Sequence, residues 1–169
     1  MDLANAYGSV PHDLIAKSLD FFWVPDKVIG LITRYFRMVY MRFAVGGVTT
    51  AWQPLEVGIM MGCVISPLLF VMAMELILRG SRHVVPGVEL IEGMALPPMR
   101  AFMDDVTTLV ESEDGTRRLL HRIDEHIDWA RMKAKPSKSR SLSIVKGKVK
   151  AVQFHLKQDR IPTVKEEPR

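Results

Sequence analysis

Two aspartates, Asp104 and Asp105, stand side by side inside a run that is otherwise β-prone, residues 101–110 (Ala-Phe-Met-Asp-Asp-Val-Thr-Thr-Leu-Val). Successive side chains on a strand face opposite sides, so both carboxylates cannot enter one dry core. A hairpin turn resolves the conflict, with one carboxylate projecting into a cleft and its neighbour leaning across the tip. Two carboxylates about 4 Å apart still repel by ~4 kcal/mol at an effective dielectric of about 20. Water at a solvated turn relieves that repulsion. So does a divalent cation, and Mg²⁺ prefers hard oxygen ligands of this kind. For an isolated pair, the solvated turn is the default reading.

The period of the apolar residues sorts the rest of the chain. Pro11 suits the first turn of a helix running to Phe22 through Leu14, Ile15 and Leu19. A second helix is expected after Pro25-Asp26, with Val28, Ile29, Ile32, Tyr35, Phe36 and Val39 on one buried face. Residues 41–45 and 48–52 flank Gly46-Gly47, a two-residue hairpin signal. Residues 58–62 predict a flexible loop, and Ser66-Pro67 the N-cap and first turn of a helix reaching about Leu78. Residues 80–98 carry three prolines and three glycines and predict a long irregular connection. Either Ser112 or Asp114 caps a helix over 114–130, buried through Leu119, Leu120, Ile123, Ile127 and Ala130. Strands are expected at 139–145, 152–156 and 161–164. This order of helices and antiparallel hairpins is α+β, with the 101–110 hairpin near the centre of an antiparallel sheet and helices 11–22, 66–78 and 114–130 on one face.

Charge is unevenly spread. Residues 1–130 hold 11 Lys/Arg against 16 Asp/Glu (−5), and residues 131–169 hold 12 against 3 (+9), which together give the net +4. A basic segment beside an acidic body suits a phosphate-binding flank next to a metal-binding centre, although soluble strand edges would look the same. Cys63 is the only cysteine, so neither an internal disulfide nor a cysteine zinc site can form. The most apolar stretch, 64–78, is interrupted by Pro67 and Glu75 and is shorter than the ~20 residues of a membrane span.

Four segments, in order, alter the reading of Asp104-Asp105. Residues 1–12 (Asp2-Leu3-Ala4-Asn5-Ala6-Tyr7-Gly8-Ser9-Val10-Pro11-His12) resemble motif A of reverse transcriptases. Residues 58–78, opening Gly58-Ile59-Met60-Met61-Gly62-Cys63-Val64-Ile65-Ser66-Pro67-Leu68-Leu69-Phe70, resemble motif B, the loop and helix beneath template base and incoming nucleotide. Residues 101–110, with Phe102-Met103-Asp104-Asp105, resemble motif C. Residues 129–145, with Trp129-Ala130-Arg131-Met132-Lys133 and Pro136-Ser137-Lys138-Ser139-Arg140, resemble motif D. Aromatic-x-Asp-Asp alone is weak, but the ordered set is specific and covers nearly the whole chain. Its wording is similar to that of non-LTR (LINE-like) retrotransposons.

The resemblance implies a polymerase palm, an RNA-directed DNA polymerase acting on an RNA template, a DNA primer and dNTPs. It implies Asp2, Asp104 and Asp105 as catalytic ligands of two Mg²⁺ ions, with Mn²⁺ as a substitute, and Lys138 as a proton donor to pyrophosphate. Leu3, Tyr7, Met61 and Gly62 would line the nucleotide, Tyr7 as a steric gate against a ribose 2′-hydroxyl. Gly58, Ser66, Pro67 and Arg140 would contact template or backbone. Two departures stand out. Met61 occupies a place where many relatives carry Gln, and it cannot make that polar contact. Gly8 stands where many non-LTR relatives have a second aspartate.

By the same resemblance, fingers and thumb lie outside the chain, Pro168-Arg169 falls near the start of a primer grip, and the chain alone is expected to be inactive. The five histidines show no ligand spacing and read as structural or surface residues. The alternative is a non-catalytic retroelement remnant that binds nucleic acid through its basic C-terminal segment. A two-metal nuclease or phosphatase leaves residues 58–70 without a role. No membrane partner is expected. Oligomeric state stays open, as does localisation within the cell, with the nucleus implied only because retroelement relatives act on nuclear DNA.

Overall fold

Proline carbonyls start two of the first helices. The computed structural model describes residues 1–166, so Pro168-Arg169 lie outside it. After a short α1 (Ala6–Ser9), α2 (His12–Phe21) begins where the Pro11 carbonyl accepts from the Leu14 and Ile15 amides, at 3.1 and 3.2 Å. Pro11 is therefore the N-cap rather than a first-turn residue. Pro25 plays the same part for α3 (Asp26–Arg37), accepting from Val28 and Ile29. Of the six residues expected on the buried face of α3, only Ile32 and Phe36 are buried, and Val28 and Tyr35 are exposed. The helical period is correct and the apolar stripe is wider than the surface it meets.

The Gly46-Gly47 hairpin forms as read. β1 (Tyr40–Met41) pairs with β4 (Gln53–Pro54), and β2 (Ala44–Val45) with β3 (Val48–Thr49). Both glycines have positive φ (58° and 82°), as a type I′ turn requires. Between the two ladders, three steps from Met41 to Ala44 face four from Thr49 to Gln53, the mark of a bulge. α4 (Ser66–Ser81) starts one position earlier than expected, because the Ile65 carbonyl takes the first helical bond from Leu69 (3.1 Å). Ser66 and Pro67 are thus its first two residues.

Two compact units result, Ala6–Leu76 and Met1–Asn5 with the chain from Ile77 onward. In the second, the irregular connection contains a small hairpin, β5 (Glu89–Ile91) with β6 (Met94–Ala95), turning at Gly93 with φ 77°. β7 (Met99–Phe102) and β8 (Asp105–Thr108) form the Asp-Asp hairpin. α5 (Glu113–Trp129) is capped by the Ser112 hydroxyl, which accepts from the Gly115 amide at 3.0 Å, so Ser112 rather than Asp114 is the cap. β9 (Ser143–Val145) pairs with β10 (Lys148–Lys150), a strand not expected from the sequence, and β11 (Phe154–Leu156) pairs with β12 (Asp159–Ile161). Leu120 of α5 joins Val152, Phe154, Leu156 and Ile161 in one apolar cluster.

The single antiparallel sheet expected around residues 101–110 is not formed. Among the described residues there are six two-stranded sheets, and the Asp-Asp hairpin is one of them. The reason is local. The neighbour of β8 is the segment 1–4, which meets it through one reciprocal pair, Met1 with Val106, and meets residue 134 through one bridge at Leu3. These single rungs do not make a ladder. No helix among the described residues is long and apolar enough to cross a membrane.

α4 ends against α5 through a buried lock. The Ser81 hydroxyl donates to the Ile77 carbonyl (3.0 Å), which leaves its oxygen to accept from His126 Nδ1 at 2.8 Å. Gly80 makes room, since a Cβ there would lie 2.8 Å from His126 Cε1. Burial, with the Arg122 charge added and Glu125 opposing, holds the His126 imidazole below the usual histidine range. The unfolded chain takes up this proton near pH ~6.5 and the folded chain only lower, so stability falls as pH drops below ~6.5. We predict that the urea midpoint declines from pH 7 to 5 in the parent and that the decline is shallower in His126→Gln. Equal slopes in the two proteins would refute this role for His126.

Candidate functional site

The β7–β8 register pairs Phe102 with Asp105, which leaves Met103 and Asp104 as the two turn residues. Only Met103 has positive φ (55°), the sign pattern of a type II′ turn. This corrects the placement of both aspartates at the turn. Asp104 is at the tip, half-buried, and Asp105 opens β8, exposed and one residue before the buried Val106. A non-glycine residue in the left-handed region costs of order 1–3 kcal/mol, and the hairpin around Met103 holds it there.

Asp2 is fixed by backbone on both sides. The Met1 nitrogen donates to the Val106 carbonyl (2.6 Å) and the Val106 amide returns the bond (3.0 Å), so the two residues oppose one another in antiparallel register. One step further along that register brings Asp2 abreast of Asp105, on the same face. On the other side the Asp2 carbonyl accepts from the Lys135 amide (2.9 Å), Leu3 bridges Ala134, and the Ala4 amide donates to the Lys133 carbonyl (2.8 Å). The Asp2 amide donates to the hydroxyl of Ser139 (3.2 Å), which itself donates to the Lys135 carbonyl (3.1 Å). Leu3, expected at the nucleotide, has its side chain buried.

Lys138, in the 3₁₀ turn Pro136–Lys138, lies 3.8 Å from the Asp2 carboxylate, with the Asp2 side chain 16% exposed. Arg140 donates to the carbonyls of Ser137 and Ser139, both at 2.7 Å, and so braces this turn. The carboxylate oxygens of Asp2, Asp104 and Asp105 are the hard donors that Mg²⁺ takes, one or two at a time alongside substrate phosphates. Among the described residues, no group of three or more His, Cys, Asp or Glu is assembled as a self-sufficient metal cage. The donor chemistry fits a cation shared with a phosphate better than a structural ion. A cavity of about 180 Å³ beside Met1, Ser139 and Arg140 is too small for a nucleotide, since ligand pockets start at roughly 300 Å³.

The remaining candidates belong to the other unit. Tyr7 lies on α1 with its ring stacked on Phe70, at 4.8 Å and 9°. The loop carrying Gly58 is stitched to the same stretch, because the Gly58 amide donates to the Val10 carbonyl and the Ile59 amide to the Tyr7 carbonyl, each at 2.8 Å. Gly58, at φ 90°, has no room for a Cβ, which would lie 2.8 Å from the Gly8 carbonyl oxygen. His12 Nε2 donates to the Gly58 carbonyl at 2.8 Å and stacks on Phe36 at 4.3 Å. Met61 is exposed, Gly62 turns at φ 89°, Ser66 is buried and Pro67 is exposed. The Cys63 thiol is held below its usual range, chiefly by the Ile65 backbone, and the hydroxyl of Tyr35 that donates to Cys63 is raised.

The carboxylates, Lys138 and Arg140 therefore lie in one unit, with Lys138 beside Asp2, while Tyr7, Gly58, Met61, Gly62, Ser66 and Pro67 lie in the other. Sequence reasoning missed Ser139 and His12 as positioning residues. Ser139 sits in a run of polar residues that reads as solvated, and nothing in the sequence separates it from Ser137 or Ser141.

The family model for "Reverse transcriptase (RNA-dependent DNA polymerase)" matches residues 1–161. The chain is also 27% identical over 157 residues to the retrovirus-related Pol polyprotein from type-1 retrotransposable element R2 of Nasonia vitripennis. That match covers 90% of this chain and 15% of the polyprotein, so the chain spans a small fraction of the length of this relative.

Ser139→Ala leaves the Asp2 amide without its hydroxyl acceptor and is expected to cost about 1–3 kcal/mol in urea unfolding. A change below ~0.5 kcal/mol would show that Ser139 does not anchor Asp2. Gly58→Ala must move the Gly8 backbone as well as adopt a positive φ, and should destabilise by more than the ~1 kcal/mol that φ alone costs. A thermal midpoint equal to the parent's would contradict the close approach.

Proposed function

The chain belongs to the reverse transcriptase (RNA-dependent DNA polymerase) family, and from that premise we propose that it is the palm core of an RNA-directed DNA polymerase from a non-LTR mobile element. The reaction adds a deoxynucleotide to a DNA primer on an RNA template. The primer 3′-oxygen bonds to the α-phosphorus of the dNTP, the bond from that phosphorus to the bridging oxygen breaks, and pyrophosphate leaves. One observation carries the reading: the Asp104–Asp105 hairpin and the Asp2 segment are joined by the reciprocal Met1–Val106 pair, within a stretch that matches the family from residue 1 to 161.

Asp2, Asp104 and Asp105 would hold two Mg²⁺ ions, or Mn²⁺. When bound, such ions supply charge neutralisation and help the 3′-hydroxyl lose its proton. The protein's own part is positioning. Asp2 is fixed by Ser139 and Lys135, and Asp104 by the hairpin tip. Lys138 starts 3.8 Å from Asp2 and is the candidate to protonate departing pyrophosphate. Tyr7, immobilised on Phe70, is the candidate gate against a ribose 2′-hydroxyl. Leu3, Met61 and Gly62 are assigned to the nucleotide, and Gly58, Ser66, Pro67 and Arg140 to template or backbone. The chain alone is expected not to extend a primer.

A second reading is a remnant that only binds nucleic acid. It rests on residues 131–158, which hold nine Lys/Arg and no Asp/Glu. The two readings part in a primer-extension assay on an RNA template with Mg²⁺ or Mn²⁺, run on the chain alone and on the chain joined to fingers and thumb segments. We expect extension only from the joined protein, reduced about a hundredfold or more by Asp104→Asn, the scale of losing one directed charge in such a site. Undiminished extension by Asp104→Asn would eliminate the carboxylate mechanism. A well-folded joined protein that binds but never extends would favour the remnant.

A further inference from the structure

Two hairpins of the unit that holds the carboxylates have no part in the polymerase reading. The β5–β6 hairpin turns at Glu92-Gly93 and the β9–β10 hairpin at Lys146-Gly147. Each shows an apolar cross-strand pair close to its turn, Ile91 with Met94 and Ile144 with Val149. Leu142 adds a fifth apolar side chain just ahead of β9. All five stand in solvent, from 42% to 68% exposed. Single exposed apolar residues are ordinary on any protein, but apolar side chains gathered in pairs on neighbouring hairpins mark an interface.

The two hairpins carry opposite charge. Between His83 and Arg100 the charged residues are Glu89 and Glu92 alone, and Glu111 joins them by accepting from the Glu89 amide at 2.9 Å. From Arg140 to Lys150 the chain carries Arg140, Lys146, Lys148 and Lys150, and the nearest acids along the sequence are Asp128 and Asp159. In space the first turn of α5 brings two acids to this side. Glu113 holds Lys150 at 2.9 Å, and Asp114 is paired with Arg118 at 3.0 Å. Both hairpins are moored to one loop, since Glu111 holds the start of β5 and Glu113 the end of β10. The acidic hairpin and the basic hairpin therefore flank residues 111–113.

We propose that these two hairpins form a self-association surface, on which a second copy of this chain docks about a two-fold axis near residues 111–113. The acidic hairpin of each copy then meets the basic hairpin of the other. A two-fold interface requires one patch to be complementary to itself, and an acidic and a basic apolar hairpin flanking one loop meet that requirement. A partner of one sign would be drawn to one hairpin and repelled by the other, so the charges select a second copy. The apolar pairs supply the area removed from water, and Glu92 against Lys148 sets the register. The surface lies wholly within one unit, and it does not rest on the polymerase reading.

The test is sedimentation velocity of the full chain across the micromolar range, beside Ile91→Ser, Ile144→Ser, Glu92→Lys and Lys148→Glu. Trp52→Ala, on the exposed apolar ribbon over residues 40–54, is the control. All five side chains stand in solvent, so far-UV circular dichroism should match the parent. The parent should be a reversible dimer. Each of the four hairpin variants should raise its dissociation constant about tenfold or more, because a two-fold interface counts every substitution twice. Glu92→Lys and Lys148→Glu mixed in equal amounts should recover a dimer within about threefold of the parent's affinity, since each altered charge then meets its opposite on the other copy. Trp52→Ala should dimerise like the parent. A parent that stays monomeric throughout overturns the proposal, as does a dimer indifferent to both isoleucines. A mixture no tighter than the single variants removes the charge pairing and the proposal with it. A mass that climbs past two copies shows an open chain instead of a two-fold. Dissociation by Trp52→Ala alone moves the contact to the 40–54 ribbon, which also overturns it.

Discussion

The reciprocal backbone pair between Met1 and Val106 governs the chemistry-bearing unit. Asp2 lies on a segment that meets its neighbours through single rungs, and the proposed role of its carboxylate depends on that segment being held in register with the Asp104–Asp105 hairpin. The two bonds at Met1 set that register, and Leu3, Ala4 and the Ser139 hydroxyl secure the other side of the segment. Lys138 follows from the same arrangement, because the turn that carries it is braced by Ser139 and Arg140. Local hydrogen bonds, more than burial, therefore place three of the acidic and basic groups on which the proposed reaction depends.

The other unit solves a similar problem by close approach. Tyr7 and the Gly58 loop are distant in sequence and are brought together by two backbone bonds, with Gly58 close enough to the Gly8 backbone that a Cβ at Gly58 would not fit. His12 adds a ring bond to the Gly58 carbonyl and a stack on Phe36. The stack of Tyr7 on the buried Phe70 then limits the freedom of the tyrosine ring. Departures from the family's pattern look different in this light. The backbone at Gly8, noted as the loss of an aspartate, is what the Gly58 loop packs against, and the exposure of Met61 leaves its thioether free to lie against a flat surface.

Charge and apolar exposure divide the surface by task. Lys138 lies beside the Asp2 carboxylate, the basic tail segment carries nine Lys/Arg and no Asp/Glu between residues 131 and 158, and the 40–54 ribbon sets Arg42 over the Trp52 ring.

Much of this was legible in the sequence, for physical reasons that can be named. A 3.6-residue apolar period and a proline or serine start placed α2, α3, α4 and α5 to within three residues at either end. Gly46-Gly47 specified its turn because both positions need positive φ. The Asp-Asp pair pointed to a hairpin in residues 101–110, and the order of four short motifs indicated the family. Other features depend on contacts between distant residues, which no local pattern encodes. The turn took Met103 and Asp104 rather than both aspartates because cross-strand pairing of Phe102 with Asp105 set the register. Val28 and Tyr35, on the expected face of α3, stayed in solvent because burial depends on what the helix meets. The sheet broke into ribbons because the segment beside β8 contributes one rung. Ser139 became an anchor, and Ser137 did not, because only one of two chemically identical side chains reaches the Asp2 amide. The sequence by itself determined the elements and the chemistry they could carry, since both are written in neighbouring residues. Tertiary structure alone decided register, burial and which polar groups meet, since those are settled by partners far away along the chain.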